Sequence, residues 1–252
     1  MSTAPMPRRV VGNGYPTTDH KPMAETDLHR DLMIDLILTL KAFYAAEPLV
    51  YVSGNLLLCY EENNRRRHVS PDVFVVRGVA KHRRENYLLW EEGHSPRFAI
   101  ELTSSSTREE DTDTKFELYR DVIRVREYFL FDPMGDYLTP SMQGWRLVKG
   151  VYRPIRPVAD RLPSQTTGLH LERDGNELRL WNPATEAWLP TPTEWSEEAK
   201  QARDEAKQAR KESEQARKEA DERADKADDR AARAEAEVRR LRAQFGLPDE
   251  EV

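Results

Sequence analysis

The chain has 252 residues, of which 45 are acidic and 39 basic, and its formal net charge is -6. A single cysteine, Cys59, excludes a disulfide scaffold and a cysteine-ligated zinc cluster. No apolar run reaches the length needed to cross a bilayer, and the N-terminus lacks the apolar region of a signal peptide. We therefore expect a cytoplasmic protein that does not enter the membrane.

Composition changes sharply near Ser196. From there to the end the chain has 14 basic and 17 acidic residues, which leaves 25 basic and 28 acidic residues in the body. Neither part has the basic excess that is typical of a nucleic-acid-binding domain, so any such binding must use local patches or a metal. We predict an N-terminal arm over 1–22, an α/β domain with added β-hairpins over 23–190, and a charged, alanine-rich helix over 191–252.

The body begins with a helix and continues with strands. Apolar residues at helical spacing predict an α-helix from Asp27 to Tyr44. Strand-like runs at Leu49–Ser53 and Leu56–Tyr60 flank Gly54-Asn55, a pair that predicts a β-hairpin.

The next elements predict a mixed sheet. Short buried strands are expected at 73–76, 98–102 and 127–131, with a helix at 111–122 between the last two. A crossover helix between strands is typical of an α/β sheet flanked by helices. Residues 136–189 alternate β-like pieces with Gly and Pro, which predicts hairpins that extend or flank this sheet.

The C-terminal segment has a heptad pattern. Its small and apolar residues recur at alternating steps of three and four, with one extra step of four before Ala224. Most of them are alanine, so each contact along the seam would bury little surface. A solvated single helix and a weak coiled coil that joins two copies into a homodimer both fit this pattern.

Two acidic residues stand at unusual places in the body. Asp72 follows Pro71 at the start of a strand, and Glu101 interrupts the apolar strand after Ile100. A buried charge is costly unless it is paired or binds a metal. Carboxylates from neighbouring strands can hold a hard cation such as Mg²⁺ or Mn²⁺. A turn residue for Asp72 and a buried structural ion pair for Glu101 are the alternatives.

Five short motifs occur in order along the body. They are Ser70-Pro71-Asp72-Val73, the run from Ala99 to Thr107, the set Asp111, Lys115 and Tyr119, then Glu127-Tyr128-Phe129, and Asp132-Pro133. Together they resemble the Uma-type family of restriction endonucleases, which is placed in the PD-(D/E)XK nuclease superfamily. The resemblance extends from about His29 to Leu189, and the alanine-rich tail is also typical of members. It implies a restriction-endonuclease-like fold and a Mg²⁺-dependent DNA endonuclease.

The resemblance also implies roles for individual residues. Asp72 matches the first aspartate of the motif and Glu101 its second acid, and both would bind the metal. The motif lysine should stand two residues after the second acid, where this chain has Thr103. The family pattern offers Lys115 instead, on the helix face that it shares with Asp111 and Tyr119.

Each supporting residue has a structural alternative. Asp111 and Lys115 would otherwise be an exposed helical ion pair worth about 0.3–0.5 kcal/mol. His29 matches a histidine common in the family, and a buried structural histidine is the alternative. The run from Ser104 to Thr107 is better explained as a helix N-cap than as a nucleophile.

Two basic runs lie in predicted loops, at 65–68 and 81–84. Both are candidate contacts to nucleic-acid phosphates, and solvated surface is the alternative.

Two functions follow from these patterns. The first is a metal-dependent DNA endonuclease, which predicts that Asp72, Glu101 and Lys115 converge in an open cleft. The second is a non-catalytic nucleic-acid-binding or scaffold protein on the same fold, which predicts a closed site or a Lys115 that points away from it.

Overall fold

A computed structural model describes residues 14–18 and 26–245. The chain divides into two compact units, one ending at Pro192 and the other beginning at Thr193. Most of the predicted N-terminal arm, and the Gly246 and Pro248 that follow the tail helix, lie outside the described residues.

The first helix, α1 (Asp27–Phe43), confirms the helix predicted from the apolar spacing. The Thr26 hydroxyl accepts a hydrogen bond of 3.2 Å from the His29 amide and so caps the N-terminus. Leu32, Leu36 and Leu40 lie on the buried face of α1, where they pack against the main sheet.

The described residues form thirteen strands. In chain order these are β1 (Val50–Ser53), β2 (Leu58–Cys59), β3 (His68–Val69), β4 (Val73–Arg77), β5 (Tyr87–Leu88), β6 (Phe98–Leu102), β7 (Glu127–Phe131), β8 (Met142–Val148), β9 (Val151–Pro154), β10 (Leu162–Pro163), β11 (His170–Asp174), β12 (Glu177–Asn182) and β13 (Ala187–Trp188). The remaining helices of the body are short: α2 (Leu89–Glu92) and α3 (Lys115–Glu117).

The main sheet has six strands in the order β1-β4-β6-β7-β8-β9. β6 and β7 are parallel, and all other neighbours in this sheet are antiparallel. A helical segment over 110–123 connects the parallel pair. The predicted mixed α/β sheet with a crossover helix is therefore confirmed, and β8 and β9 extend it as a hairpin.

The crossover segment is not a regular α-helix. The α-helical turn α3 lies between two π-helical turns, Glu110–Thr114 and Leu118–Ile123. Such wide turns inside helices are frequent at functional sites. We refer to the whole segment as the 110–123 helix.

The two faces of the main sheet are covered by different helices. Alternation along the strands sends Val73 and Ile100 towards α1, whereas Phe74 and Ala99 lie in the cluster that contains Tyr119 of the 110–123 helix. Glu101, which follows Ile100, is therefore expected on the side of the 110–123 helix.

The hairpin predicted around Gly54-Asn55 is wrong. β1 pairs with β4, and β2 pairs with β3 and β5 in a separate three-stranded sheet. A two-residue hairpin would need the chain to fold straight back, but the Asn55 amide donates to the Pro71 carbonyl at 2.8 Å. The chain therefore runs past Pro71 and leaves the main sheet.

A four-stranded antiparallel sheet, in the order β10-β11-β12-β13, contains the remaining predicted hairpins. Its residues Leu171 and Leu180 pack into the same apolar cluster as α1.

The second unit consists of most of the long helix α4 (Pro192–Phe245). Side-chain ion pairs one turn apart, such as Arg210 with Glu214 at 3.0 Å, lie along its surface. Whether two copies pair through it stays a prediction.

Among the described helices, none combines the length and the apolar character that crossing a bilayer requires.

Candidate active site

The two acidic residues of the predicted motif lie on neighbouring strands. Val73 of β4 is paired with Ile100 of β6, so Asp72 and Glu101 occupy the next opposed positions. The Asp72 amide donates to Glu101 Oε2 at 3.4 Å, and Asp72 Oδ2 accepts a hydrogen bond of 2.8 Å from the Leu102 amide. These contacts fix both carboxylates at one end of the sheet.

The 110–123 helix adds a lysine and a tyrosine to Glu101. Lys115 Nζ donates to Glu101 Oε2 at 2.7 Å, and the Tyr119 hydroxyl donates to Oε1 at 2.6 Å. Each carboxylate oxygen thus has its own donor. The four-residue spacing of Lys115 and Tyr119 brings both to the same carboxylate although the helix has π-helical turns.

Asp111 completes a row of charges. Its Oδ1 lies 2.9 Å from Lys115 Nζ, so the ammonium lies between two carboxylates. The alternative of an exposed helical ion pair is wrong, because Asp111 is 1 % and Lys115 8 % exposed.

His29 reaches the same place from the opposite layer. It lies near the N-terminus of α1, and its Nε2 is 3.5 Å from Asp72 Oδ2. Asp72 is therefore held between a histidine on one side and a backbone amide on the other.

Burial and charge shift the ionisation of this cluster. Burial, together with the charges of Asp72 and Asp111, outweighs the opposing effect of Lys115 and raises the pKa of Glu101 to about 8. Burial also raises the pKa of Asp111, again against Lys115.

The pKa shifts of the three neighbouring groups differ in direction and in cause. Burial raises the pKa of Asp72, but the His29 hydrogen bond and the Lys115 charge outweigh it and leave the value below normal. The flanking carboxylates outweigh the burial of Lys115 and raise its pKa, so the ammonium keeps its proton. Burial raises the pKa of Tyr119 well above its usual value, so it remains a donor.

The site is enclosed rather than an open cleft. Glu101 is 0 % exposed, and the side chains of Asp72 and Lys115 are 16 % and 11 % exposed. The residues converge as the nuclease hypothesis expects, whereas the low exposure is what the non-catalytic hypothesis expects.

Two features at the site are not evident from the sequence: the close backbone approach at Gly54 and the burial of the Thr103 hydroxyl. An added Cβ at Gly54 would lie 1.9 Å from the Asp72 carbonyl oxygen, so only glycine allows this approach. Thr103, at the motif lysine position, is 2 % exposed and its hydroxyl has no hydrogen-bond partner among the described residues. The glycine of the pair Gly54-Asn55 is visible in the sequence, but the composition of that pair predicts a hairpin turn rather than a close approach to Asp72.

Two other acidic residues of the motifs, Glu127 and Asp132, have structural roles. Glu127 accepts hydrogen bonds from Arg146, Ser164 and two backbone amides, and Asp132 accepts from four backbone amides that follow it. They tie loops to the sheet rather than join the Glu101 cluster.

The donor set has the chemistry that Mg²⁺ or Mn²⁺ prefers. Mg²⁺ is usually bound by one or two carboxylates and otherwise by water and substrate phosphate. Among residues 14–18 and 26–245, no group of three or more His, Cys, Asp or Glu side chains is arranged to hold a metal. The Thr103 hydroxyl, buried two residues after Glu101, also has no hydrogen-bond partner within the described part of the chain. Asp72 and Glu101 fit a cation that keeps most of its water.

The fold and the cluster together define the class. A mixed sheet with opposed carboxylates on neighbouring strands and a lysine on the crossover helix is the arrangement expected of a restriction-endonuclease-like fold. The chain belongs to the Uma2 family, described as "Putative restriction endonuclease", whose model matches residues 20–176.

Comparison with solved structures gives a similar protein, a "putative nuclease belonging to DUF820" from Anabaena variabilis ATCC 29413. The identity is 14 % and the TM-score 0.43, and the match covers 60 % of this chain and 80 % of that one. Among curated proteins, none matches the chain.

Proposed function

We propose that this protein is a divalent-metal-dependent endonuclease that hydrolyses phosphodiester bonds in DNA. The observation that carries the proposal is the contact of 2.7 Å between Lys115 Nζ and Glu101 Oε2. Lys115 thus supplies the ammonium that is missing at Thr103, the position of the motif lysine. It lies beside the two carboxylates that the resemblance assigns to the metal.

Asp72 and Glu101 would hold the cation. Bound Mg²⁺ or Mn²⁺ would supply Lewis acidity towards the phosphate and lower the pKa of water. Lys115 would stabilise negative charge that develops on the phosphate, since its raised pKa keeps it protonated. Asp111 and Tyr119 would act as positioning residues, one on Lys115 and the other on Glu101.

The protons of the site oppose metal binding. Because its pKa is raised to about 8, Glu101 binds a proton more readily near neutral pH than an ordinary carboxyl does, and a cation must compete with that proton. His29 would keep Asp72 ionised as the first ligand. Cation affinity should therefore rise as the pH approaches and passes 8.

The test is nicking of supercoiled plasmid DNA by the full chain with Mg²⁺, Mn²⁺ or EDTA. We expect cleavage with either metal, none with EDTA, and none by Asp72→Asn or Glu101→Gln. Glu117→Gln, on the exposed face of the same helix, is the matched control and should cleave normally. Cleavage that survives both acid substitutions would contradict the proposal.

The burial of the cluster favours a second candidate function. A non-catalytic nucleic-acid-binding or scaffold protein would have the same ion cluster as a structural core, with Glu101 0 % exposed. In that case the protein would not bind Mn²⁺ at millimolar concentration. It would bind DNA but would not cleave it with any added metal.

A further inference from the structure

We propose that a groove along the free edge of β1 binds the phosphate backbone of the DNA substrate several base pairs away from the carboxylate cluster. This inference rests on the proposed function for its partner, and it concerns a separate surface. The groove is a cavity of about 540 Å³. Its lining comes from the end of α1, from all four residues of β1 and from the basic run 81–84: Lys41, Tyr44, Ala45, Val50, Tyr51, Val52, Ser53, Lys81, His82, Arg83 and Arg84.

The charge of this lining is opposite to that of the chain. Acidic residues outnumber basic ones by 45 to 39 overall, yet none of the described lining residues is acidic. Four of the lining residues are basic: Lys41, Lys81, Arg83 and Arg84. A concave surface whose charged residues are all basic raises the local concentration of an anionic partner.

Not all of these cations are available to a ligand. Arg84 is bound to Glu92 and stacks on Tyr51 with its guanidinium carbon 4.2 Å from the ring centroid. Lys81 donates to the carbonyls of Tyr44 and Ala45 at the end of α1. Both side chains therefore form the wall of the groove and are already engaged within the protein.

Lys41 and Arg83 remain as exposed cations that no described carboxylate pairs with in a salt bridge. They are the groups that a phosphate would contact.

The groove connects to the carboxylate cluster along two elements. Ser53 ends the lining on β1, and the next residue, Gly54, lies against the Asp72 carbonyl. On α1, His29 lies at the cluster and Lys41 at the groove, twelve residues and so about 18 Å apart at 1.5 Å per residue.

That distance corresponds to a DNA segment. At about 3.4 Å per step, 18 Å is roughly five base pairs. A duplex with its reacting phosphate at Asp72 and Glu101 would place a backbone beside Lys41 and Arg83 if it ran along α1. A polyanion with regular spacing suits this extended surface better than one small anion would.

The test is binding of a labelled 20-base-pair duplex in EDTA, measured by fluorescence anisotropy from 50 to 200 mM salt. Lys41→Ala/Arg83→Ala is compared with Arg153→Ala/Arg156→Ala. The second pair removes the same charge from exposed positions at and beyond β9, the opposite edge of the sheet. Each lost phosphate contact should reduce the slope of log affinity against log salt by about 0.9. We expect a reduction of about 2 for the groove pair and a smaller one for the control pair.

The outcomes separate this inference from the proposed hydrolysis. An equal change in both pairs would overturn the groove assignment even if the wild type cuts DNA. A reduced slope for the groove pair alone would support it even if no metal gives cleavage. A 20-residue poly-glutamate peptide that binds as tightly as the duplex, and loses affinity in the groove pair, would assign the groove to an acidic protein and overturn the proposal.

Discussion

Lys115 Nζ lies 2.7 Å from Glu101 Oε2, although the two residues belong to different elements and are fourteen positions apart. The contact buries the Lys115 ammonium between the carboxylates of Glu101 and Asp111. One positive charge thus faces two buried carboxylates, with Asp72 close by. Ionisation, stability and proposed catalysis are therefore coupled at Lys115.

Removal of that ammonium should affect both stability and cleavage. Lys115→Ala leaves Glu101 and Asp111 buried without their cation, which should lower the free energy of unfolding by about 3–5 kcal/mol at pH 8. The loss should be smaller at pH 6, because this pH lies below the raised pKa of Glu101 and its carboxyl can then be neutral. Chemical denaturation at the two pH values measures it, and Lys149→Ala, an exposed lysine, should show almost no change.

Cleavage by Lys115 variants separates charge from packing. Lys115→Met keeps the length of the side chain without its charge and should be inactive, while Lys115→Arg should recover little because a planar guanidinium fits poorly between the two acids. Wild-type cleavage by the folded fraction of Lys115→Met would refute a catalytic role for this ammonium.

The raised pKa of Glu101 makes the stability of the metal-free protein depend on pH. Between the unfolded value near 4.5 and the folded value of about 8, the folded state binds a proton that the unfolded state has lost. Unfolding then releases a proton, so stability should fall as the pH rises from 5 to 8. Glu101→Gln should flatten this part of the profile in thermal melts with EDTA, and an unchanged slope would contradict the assignment.

Gly54 should be a positioning residue for Asp72. In Gly54→Ala the new methyl group would lie 1.9 Å from the Asp72 carbonyl oxygen, so the backbone of Asp72 must move. We expect cleavage to fall by at least about tenfold through misplacement of the carboxylate. Gly175→Ala is the control for a general loss of stability, since alanine is strained at its φ of +60° although nothing lies near the added Cβ. Mn²⁺ affinity by calorimetry should fall in Gly54→Ala and stay normal in Gly175→Ala.

Much of the fold follows from local patterns in the sequence. The apolar spacing gives α1 almost to the residue, and the short apolar runs give β4, β6 and β7 with the crossover between them. The carboxylate of Glu101 is conspicuous because it interrupts such a run. These signals are local, so one sequence contains them.

The rest depends on contacts between distant segments. The turn at Gly54-Asn55 has the composition of a hairpin turn. Tertiary packing nevertheless decides that β1 pairs with β4 rather than with β2. The burial of Lys115 cannot be deduced from an i, i+4 pair with Asp111, because such pairs are usually on the surface. The groove beside β1 also joins Lys41 to Arg83, which are far apart in the chain.

Glu127 offers a contrast between a structural acid and the proposed ligands. Burial raises its pKa, but bonds from Ser164, the Thr166 amide and Arg146 outweigh that and lower it. Its contribution to stability should therefore be present above the unfolded value and be lost as the pH falls through the lower, folded one. Glu127→Gln should cost about 1.5–3 kcal/mol at pH 7. Cleavage per folded molecule should stay normal, as a plasmid assay with active-fraction correction would show.

The charged tail should be dispensable for folding of the body. The apolar clusters described for this protein are formed by residues up to Leu189, and α4 belongs mainly to the second compact unit. A truncated chain that ends at Glu194 should therefore keep the circular dichroism of the body and a cooperative thermal transition.

The same truncation tests the proposed homodimer. If the alanine-rich heptads join two copies, sedimentation velocity should show a dimer for the full chain and a monomer for the truncated one. The association should be weak, because alanine contacts bury little apolar surface. Val238→Asp, which places a charge on the seam, should give a monomer too, whereas Arg230→Asp, off the seam, should not. A truncated body that still dimerises would place the interface elsewhere, and an insoluble one would show that the tail is needed for folding.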